Sequence, residues 1–250
     1  TELLAGKRGE TVATYWEKQL AGELPVLELP TDRPRPPVQT YRGSSYSFTL
    51  NAGLADRIKE LARNQDATLY MTLLAAFQTL LYRYTGHEEL LVGSPAAGRN
   101  KPQFSGVVGY FVNPLVLRAN CVGDPSFSEF LAGVRQTVLS ALEHQEYPFP
   151  LLVERLQPKR DVSRSPLFQT MFVLQKAHLP GDEALSMFAL GDERAQLQLG
   201  SLELESIRLE QQVAQFDLTL MMTEAAGELH GSFEYNADLF DEPTIAPFAR

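Results

Sequence analysis

"HQEYPFPLLVERLQPKRDVSRSPLFQTMF" runs from His144 to Phe172 and joins a histidine, charges of both signs and the aromatics Tyr147, Phe149, Phe168 and Phe172. Two readings compete for it: a self-contained active site, or the scaffold of a site whose chemistry lies elsewhere. Just upstream, Ser126 opens a helical pattern in which Phe127, Phe130, Leu131, Val134, Val138 and Leu142 recur at steps of three and four. His144 falls at the end of that helix. There an imidazole can bond unpaired carbonyls and complement the helix dipole. It is also the best local candidate for a general base. Downstream the pattern predicts a turn, a short helix over 151–156, a loop and a strand over 168–174.

Outward from this block, 69–84 is apolar on nearly every side, which predicts a central helix opened by Asp66–Thr68 and stopped by Gly86. A shorter helix precedes it, with Leu54, Ile58 and Leu61 at helical spacing. Alternation predicts a half-buried strand over 44–50, and apolar runs predict strands at 89–94 and 115–120. The loop over 95–114 carries glycines that let backbone approach another surface closely. Residues 216–223 and 228–235 read as two strands around Ala226-Gly227, and "DLFDEPTI" as a helix entrance. The span 180–200 reads as an acidic, irregular excursion. At the other end, 9–20 reads as a helix with Tyr15, Trp16 and Leu20 toward one face. A connector with five prolines between Pro25 and Pro37 follows, extended and packed down through its Leu, Val and Tyr residues. Interspersed helices and strands make the class mixed α/β. The organisation is an entry helix and Pro-rich connector over 1–42, then an α/β lobe over 43–250.

The chain has 250 residues, 44% hydrophobic, with a net charge of −9. That length buries a sizeable core. The acidic balance argues against general nucleic-acid binding. One cysteine, Cys121, excludes a disulfide framework and a cysteine-rich zinc site, and points to a reducing, cytoplasmic setting. The longest strongly apolar stretch, 69–81, is too short to span a bilayer, so no membrane role is expected. The chain lacks an initiator Met and reads as excised from something longer.

The four histidines, His87, His144, His178 and His230, are too far apart in sequence for an H-x-x-x-H metal pair, and no metal site is expected. No nucleophile elbow, phosphate-binding loop or dinucleotide fingerprint occurs. Arg99, after a glycine in a loop, suits either solvent or a carboxylate partner. No residue of this chain is assigned a catalytic role.

Five segments in order carry a resemblance: "YWEKQLAGELPVLELPTDRPRPPVQTYRG", "VGSPAAGRN" with "VVGYFVNPLVLR", "HQEYPFPLLVERL", "RDVSRSPLFQTMFVLQ", and "FDLTL" with "FEYNADLFDEPTI". Together they resemble the C-terminal half of a condensation domain from nonribosomal peptide synthetases. That resemblance implies a chloramphenicol acetyltransferase-like lobe, a mixed β-sheet flanked by helices. In the family, two such lobes enclose a tunnel. Peptidyl carrier domains bring thioesters to its two mouths on phosphopantetheine arms, and the acceptor's amine attacks the donor's thioester. The family's H-H-x-x-x-D-G motif belongs to the other lobe, and this sequence contains no His-His pair. The implied partners are therefore an N-terminal condensation lobe, peptidyl carrier domains and an adjacent adenylation domain, with no cofactor bound directly.

Residue by residue, the resemblance implies an inter-lobe salt bridge for Arg99, whose guanidinium is expected to be solvated when the partner lobe is absent. Gly109, Tyr110 and Asn113 match the G-x-F-V-N block and are implied as tunnel or site support, while Pro114 stands where many members carry Thr. Ser165, Pro166 and Phe168 are implied to shape the acceptor side. Arg160, Asp161 and Arg164 match R-D-x-S-R and are implied as structural ion pairs. The alternatives are a lobe of an epimerisation or heterocyclisation relative, or a docking module without chemistry.

Overall fold

Six strands run through the molecule as one mixed sheet: β1 (Gly43–Leu50), β2 (Glu89–Ala96), β3 (Asn113–Asn120), β4 (Thr170–Gln175), β7 (Leu218–Ala225) and β8 (Glu228–Asn236). A separate hairpin pairs β5 (Gln196–Leu199) with β6 (Leu202–Glu205). The computed structural model describes residues 6–99, 104, 106–175, 196–199, 202–207 and 212–249. In the large sheet the order is β1-β8-β7-β4-β2-β3. β2, β4 and β7 are mutually parallel in the middle, and the outer neighbours pair antiparallel.

The helices are α1 (Lys7–Gln19), α2 (Ala52–Asn64), α3 (Leu69–Thr85), α4 (Phe127–Glu143), α5 (Phe149–Leu156) and the short α6 (Glu242–Ile245). Their ends follow from local chemistry. Thr68 Oγ1 accepts the Met71 amide at the start of α3, and Gly86 ends it in the left-handed region at φ 69°. Ser126 and Glu129 form a reciprocal cap on α4, with Glu129 Oε2 2.9 Å from the Ser126 amide. Between β7 and β8, Ala226 and Gly227 both have positive φ, 52° and 82°, the twist a two-residue hairpin turn needs.

α3 lies against one face of the sheet, where Phe77 meets Phe172 and Phe233, and Tyr70 meets Phe172. α2 and α4 pack beside α3. Met171, Val173 and Met221 project from the opposite face and are half-buried. At the end of that face nearest α5, the Phe168 ring occupies the place of a Gly93 side chain, 2.2 Å from where a Cβ would sit. The neighbours of this ring are Phe149 and Phe216.

The proline-rich connector is packed down by polar bonds as well as by buried Leu27 and Leu29. The Leu27 amide donates to Gln169 Oε1 at 2.9 Å. Arg33 spends its donors on both Asp241 carboxylate oxygens and on the carbonyls of Ala237, Asp238 and Phe240. In return Asp32 accepts the Asp241 amide and the Thr244 hydroxyl, each at 2.7 Å. Arg35 forks onto Asp217, with Nη1 2.9 Å from Oδ1, and also donates to the Ser163 carbonyl. Burial works against the Arg35 charge, but the hydrogen bonds and charge of Asp217 outweigh it and hold the guanidinium above its usual range.

Besides β3, which begins at Asn113, and α5, which begins at Phe149, three further expectations change. The strand placed at 168–174 begins at Thr170, because Leu167 takes a positive φ of 68° and the Phe168 amide turns back to the Pro166 carbonyl. The strand placed at 216–223 begins at Leu218, because Asp217 is held by Arg35 and by a bond from its amide to Gln169. Within the span read as irregular, 196–199 is a strand of the small hairpin. The remainder of that span, with His178, lies outside the described residues.

Candidate functional site

β2 ends at Ala96 and β3 begins at Asn113, so the loop between them is anchored on neighbouring strands. Asn113 ties its far end down. The amide nitrogen donates to the carbonyls of Gln145 and Tyr147, at 3.0 and 2.8 Å, and the oxygen accepts the Phe149 amide at 2.9 Å. One side chain thus fastens the start of β3 to the turn between α4 and α5. An asparagine suits the task because it donates twice and accepts at once.

His144 belongs to the same turn. Its Nδ1 lies 2.7 Å from the Ser140 carbonyl at the end of α4, its ring stacks on Tyr15 at 3.9 Å, and its carbonyl accepts the Trp16 indole at 3.0 Å. The imidazole therefore works as a helix-end cap and a seat for α1. The Tyr15 phenol is pushed up to about 12 by burial and by the charge of Glu143. Burial likewise pushes the Tyr70 phenol up to about 12, against the opposing effect of its bond to Ser94. Neither phenol gives up its proton near neutral pH. Burial also raises the Cys121 thiol, with Glu88 and Asp124 adding to it, which makes an unreactive thiol. Among the described residues no cluster of three His, Cys, Asp or Glu could hold a metal ion, and no helix is long and apolar enough to cross a membrane.

The remaining candidates fall into two groups. Arg99 is exposed, with Nη1 donating to the carbonyls of Phe104 and Val107, both at 2.7 Å, and Nη2 to that of Gly109 at 3.0 Å. It also lies over the Phe111 ring, 4.3 Å from the centroid. Solvation is thus shared with a cage of loop carbonyls. Gly109 and Tyr110 lie on this loop, Tyr110 86% exposed. In the second group, Asp161 Oδ2 is 3.0 Å from Arg164 Nε, while Oδ1 accepts the amide and hydroxyl of Ser163. Arg160 is exposed and stands outside that cluster among the described residues. Ser165 lends its carbonyl to Gln169, Pro166 is exposed, and Phe168 is a core residue. A side chain this deep reaches its surroundings only through packing.

Sequence reasoning passed over Arg33, Arg35 and Asp217, which hold the connector against the C-terminal strands. The signal was present: two arginines sit in a proline-rich run whose extended backbone carries their side chains toward partners outside it. It also passed over the half-buried row of Met171, Val173 and Met221. In "TMFVLQ" both alternating positions are apolar, so periodicity reads as a doubly buried strand.

A family model described as "Condensation domain" matches residues 1–250. A linear gramicidin synthase from Brevibacillus parabrevis is 48% identical over 244 residues, covering 98% of this chain and 4% of that protein. A holo four-domain nonribosomal peptide synthetase bound to AMP and glycine superposes with a TM-score of 0.88 at 30% identity, over 97% of this chain and 18% of that one. The X-domain from teicoplanin biosynthesis, in complex with OxyB, superposes with a TM-score of 0.79 at 26% identity, over 96% of this chain and 50% of that one. The sheet order and flanking helices described above are those of the chloramphenicol acetyltransferase-like architecture.

Proposed function

Since the chain belongs to the condensation-domain family, we propose that it forms one wall of a two-part channel for peptide-bond formation between carrier-bound thioesters. Residues 1–42 and 43–250 together form that wall as a single lobe. The proton-handling group belongs to a second, N-terminal lobe carrying H-H-x-x-x-D-G. The observation that carries this reading is the family match across residues 1–250 in a sequence with no adjacent histidines. The local alternative, His144, is occupied as a helix cap and stacking partner.

The chemistry needs an oriented amine, a place for its developing charge and exclusion of water. This lobe contributes orientation and dryness. Gly109 and Tyr110 stand on the loop that faces the channel, and Asn113 fixes its base. Ser165 and Pro166 border the acceptor side, with Phe168 supporting them from the core. Asp161 and Arg164 serve structure, by ion pairing, and Arg160 stands exposed beside them. Substrates arrive on phosphopantetheine arms of peptidyl carrier domains, and the lobe itself binds no cofactor. An adenylation domain is a further neighbour, and the setting is cytoplasmic.

Arg99 is the cross-lobe contact in this reading. The loop carbonyls use two hydrogens on Nη1 and one on Nη2. A guanidinium has five donors. Among the described residues Nε and the second Nη2 hydrogen take no partner, and that edge is the fork that takes a carboxylate side-on.

The test is complementation. The chain is mixed with the separately expressed histidine-bearing half of the same synthetase module, a loaded donor carrier and a loaded acceptor carrier. Amide product only in the complete mixture supports the proposal, and product from the chain without its complement refutes it. A second reading, a docking module without chemistry, draws support from the likeness to an X-domain found in complex with OxyB. Stable binding of the other half without amide formation would favour it.

A further inference from the structure

We propose that Arg99 is a positioning residue: its guanidinium is the internal filler on which the loop over 106–112 is folded. The loop has little apolar interior. Val108 is 99% exposed and Tyr110 86%, and the Phe104 and Phe111 rings, 5.5 Å apart, are its only aromatic pair among the described residues. What converges inside is polar: the carbonyls of Phe104, Val107 and Gly109 all point at one guanidinium, and Phe111 lies under it. The Phe104 carbonyl also accepts the Val107 amide at 3.2 Å, so a backbone turn and the arginine share an acceptor.

The neck is equally tight. Gly98, at φ +66°, brings its backbone so close to Phe111 that a Cβ would sit 2.1 Å from the Phe111 carbonyl oxygen. Phe111 is two residues from Asn113, which is bonded to the α4–α5 turn. Arg99 therefore sets where Gly109 and Tyr110 stand relative to a fixed strand. A lysine cannot replace it. Its ammonium neither reaches three carbonyls in one plane nor stacks flat on an aromatic ring.

The effect on catalysis rests on the two-part channel proposed above; the organisation of the loop does not. The experiment keeps them apart by comparing wild type, Arg99→Lys and Arg99→Met, with Arg57→Lys on α2 as a remote control. In the chain alone, exchange of the Val107 amide, the one bonded amide of this loop among the described residues, is expected to speed up by about tenfold or more in both Arg99 variants, with β2 and β4 unchanged. Wild-type exchange rates in Arg99→Met would overturn the inference, and so would wild-type protection in Arg99→Lys. In the complemented enzyme kcat is expected to fall in both Arg99 variants while KM for the acceptor carrier stays near wild type. Full kcat with a loosened loop would overturn the positioning role. A wild-type mixture without activity would instead count against the two-part channel and leave the exchange result to decide the loop.

Discussion

Asn113 and Asp217 show how much single polar side chains carry here. Asn113 makes three hydrogen bonds to backbone across the β3–turn junction. Asn113→Ala leaves three backbone groups to find water, and urea unfolding should show a loss of about 1–3 kcal/mol. Asp217 is nearly buried, with 4% of its side chain exposed, and Arg35 is 18% exposed. Asp217→Ala strands a guanidinium beside the core, which should cost about 3–5 kcal/mol by the same measurement. Steric fit makes a third case. Gly93→Ala drives a methyl into the buried Phe168 ring, whereas Gly231→Ala meets only the far end of half-buried Phe48 on an edge strand. The first should lower the thermal midpoint clearly more than the second.

At the scale of elements, the caps explain which parts were legible in the sequence. Thr68 and Ser126 precede apolar runs, Glu129 completes a capping box, and Gly86 follows the last turn of α3; each signal lies within four residues of what it controls. The connector was legible as an extended, packed segment but not in its partners. Arg33 and Arg35 bond to residues 208 and 182 positions away, a distance that no local pattern spans. The packing of Phe168 and the true start of β4 were not legible for a related reason, since the ring's place is set by Gly93 on another strand. The Arg99 cage was invisible because its acceptors are backbone carbonyls, which every sequence has. α4 offers a separate test. Gly133 is exposed in the middle of the helix, and an added Cβ would meet nothing within 4 Å, so Gly133→Ala should stabilise the chain by about 0.5–1 kcal/mol.

Taken as a whole molecule, the chain carries carboxylates that the fold keeps ionised, one of them joining the connector to the C-terminal segment. Asp32 lies below its ordinary pKa through the Asp241 amide and the Thr244 hydroxyl, Asp161 through the hydroxyl and amide of Ser163, and Glu129 through the hydroxyl and amide of Ser126. Each folded value is depressed, so this stabilisation is fully present above the ordinary carboxylate range near pH 4 and is lost as pH falls through the lowered values. Urea midpoints should hold from neutrality to mild acid and then drop, with a smaller acid drop in Asp32→Asn. A midpoint insensitive to acid would contradict the pairing described. The central proposal is a division of labour in which this chain shapes and orients and the complementary half handles the proton. Intact-mass measurement of single-turnover transfer from a loaded donor carrier to a loaded acceptor carrier tests it most directly. With this chain alone the account predicts no transfer above the uncatalysed background; donor moving to the acceptor amine at an enzymatic rate, and stopping when His144 is replaced, would contradict it.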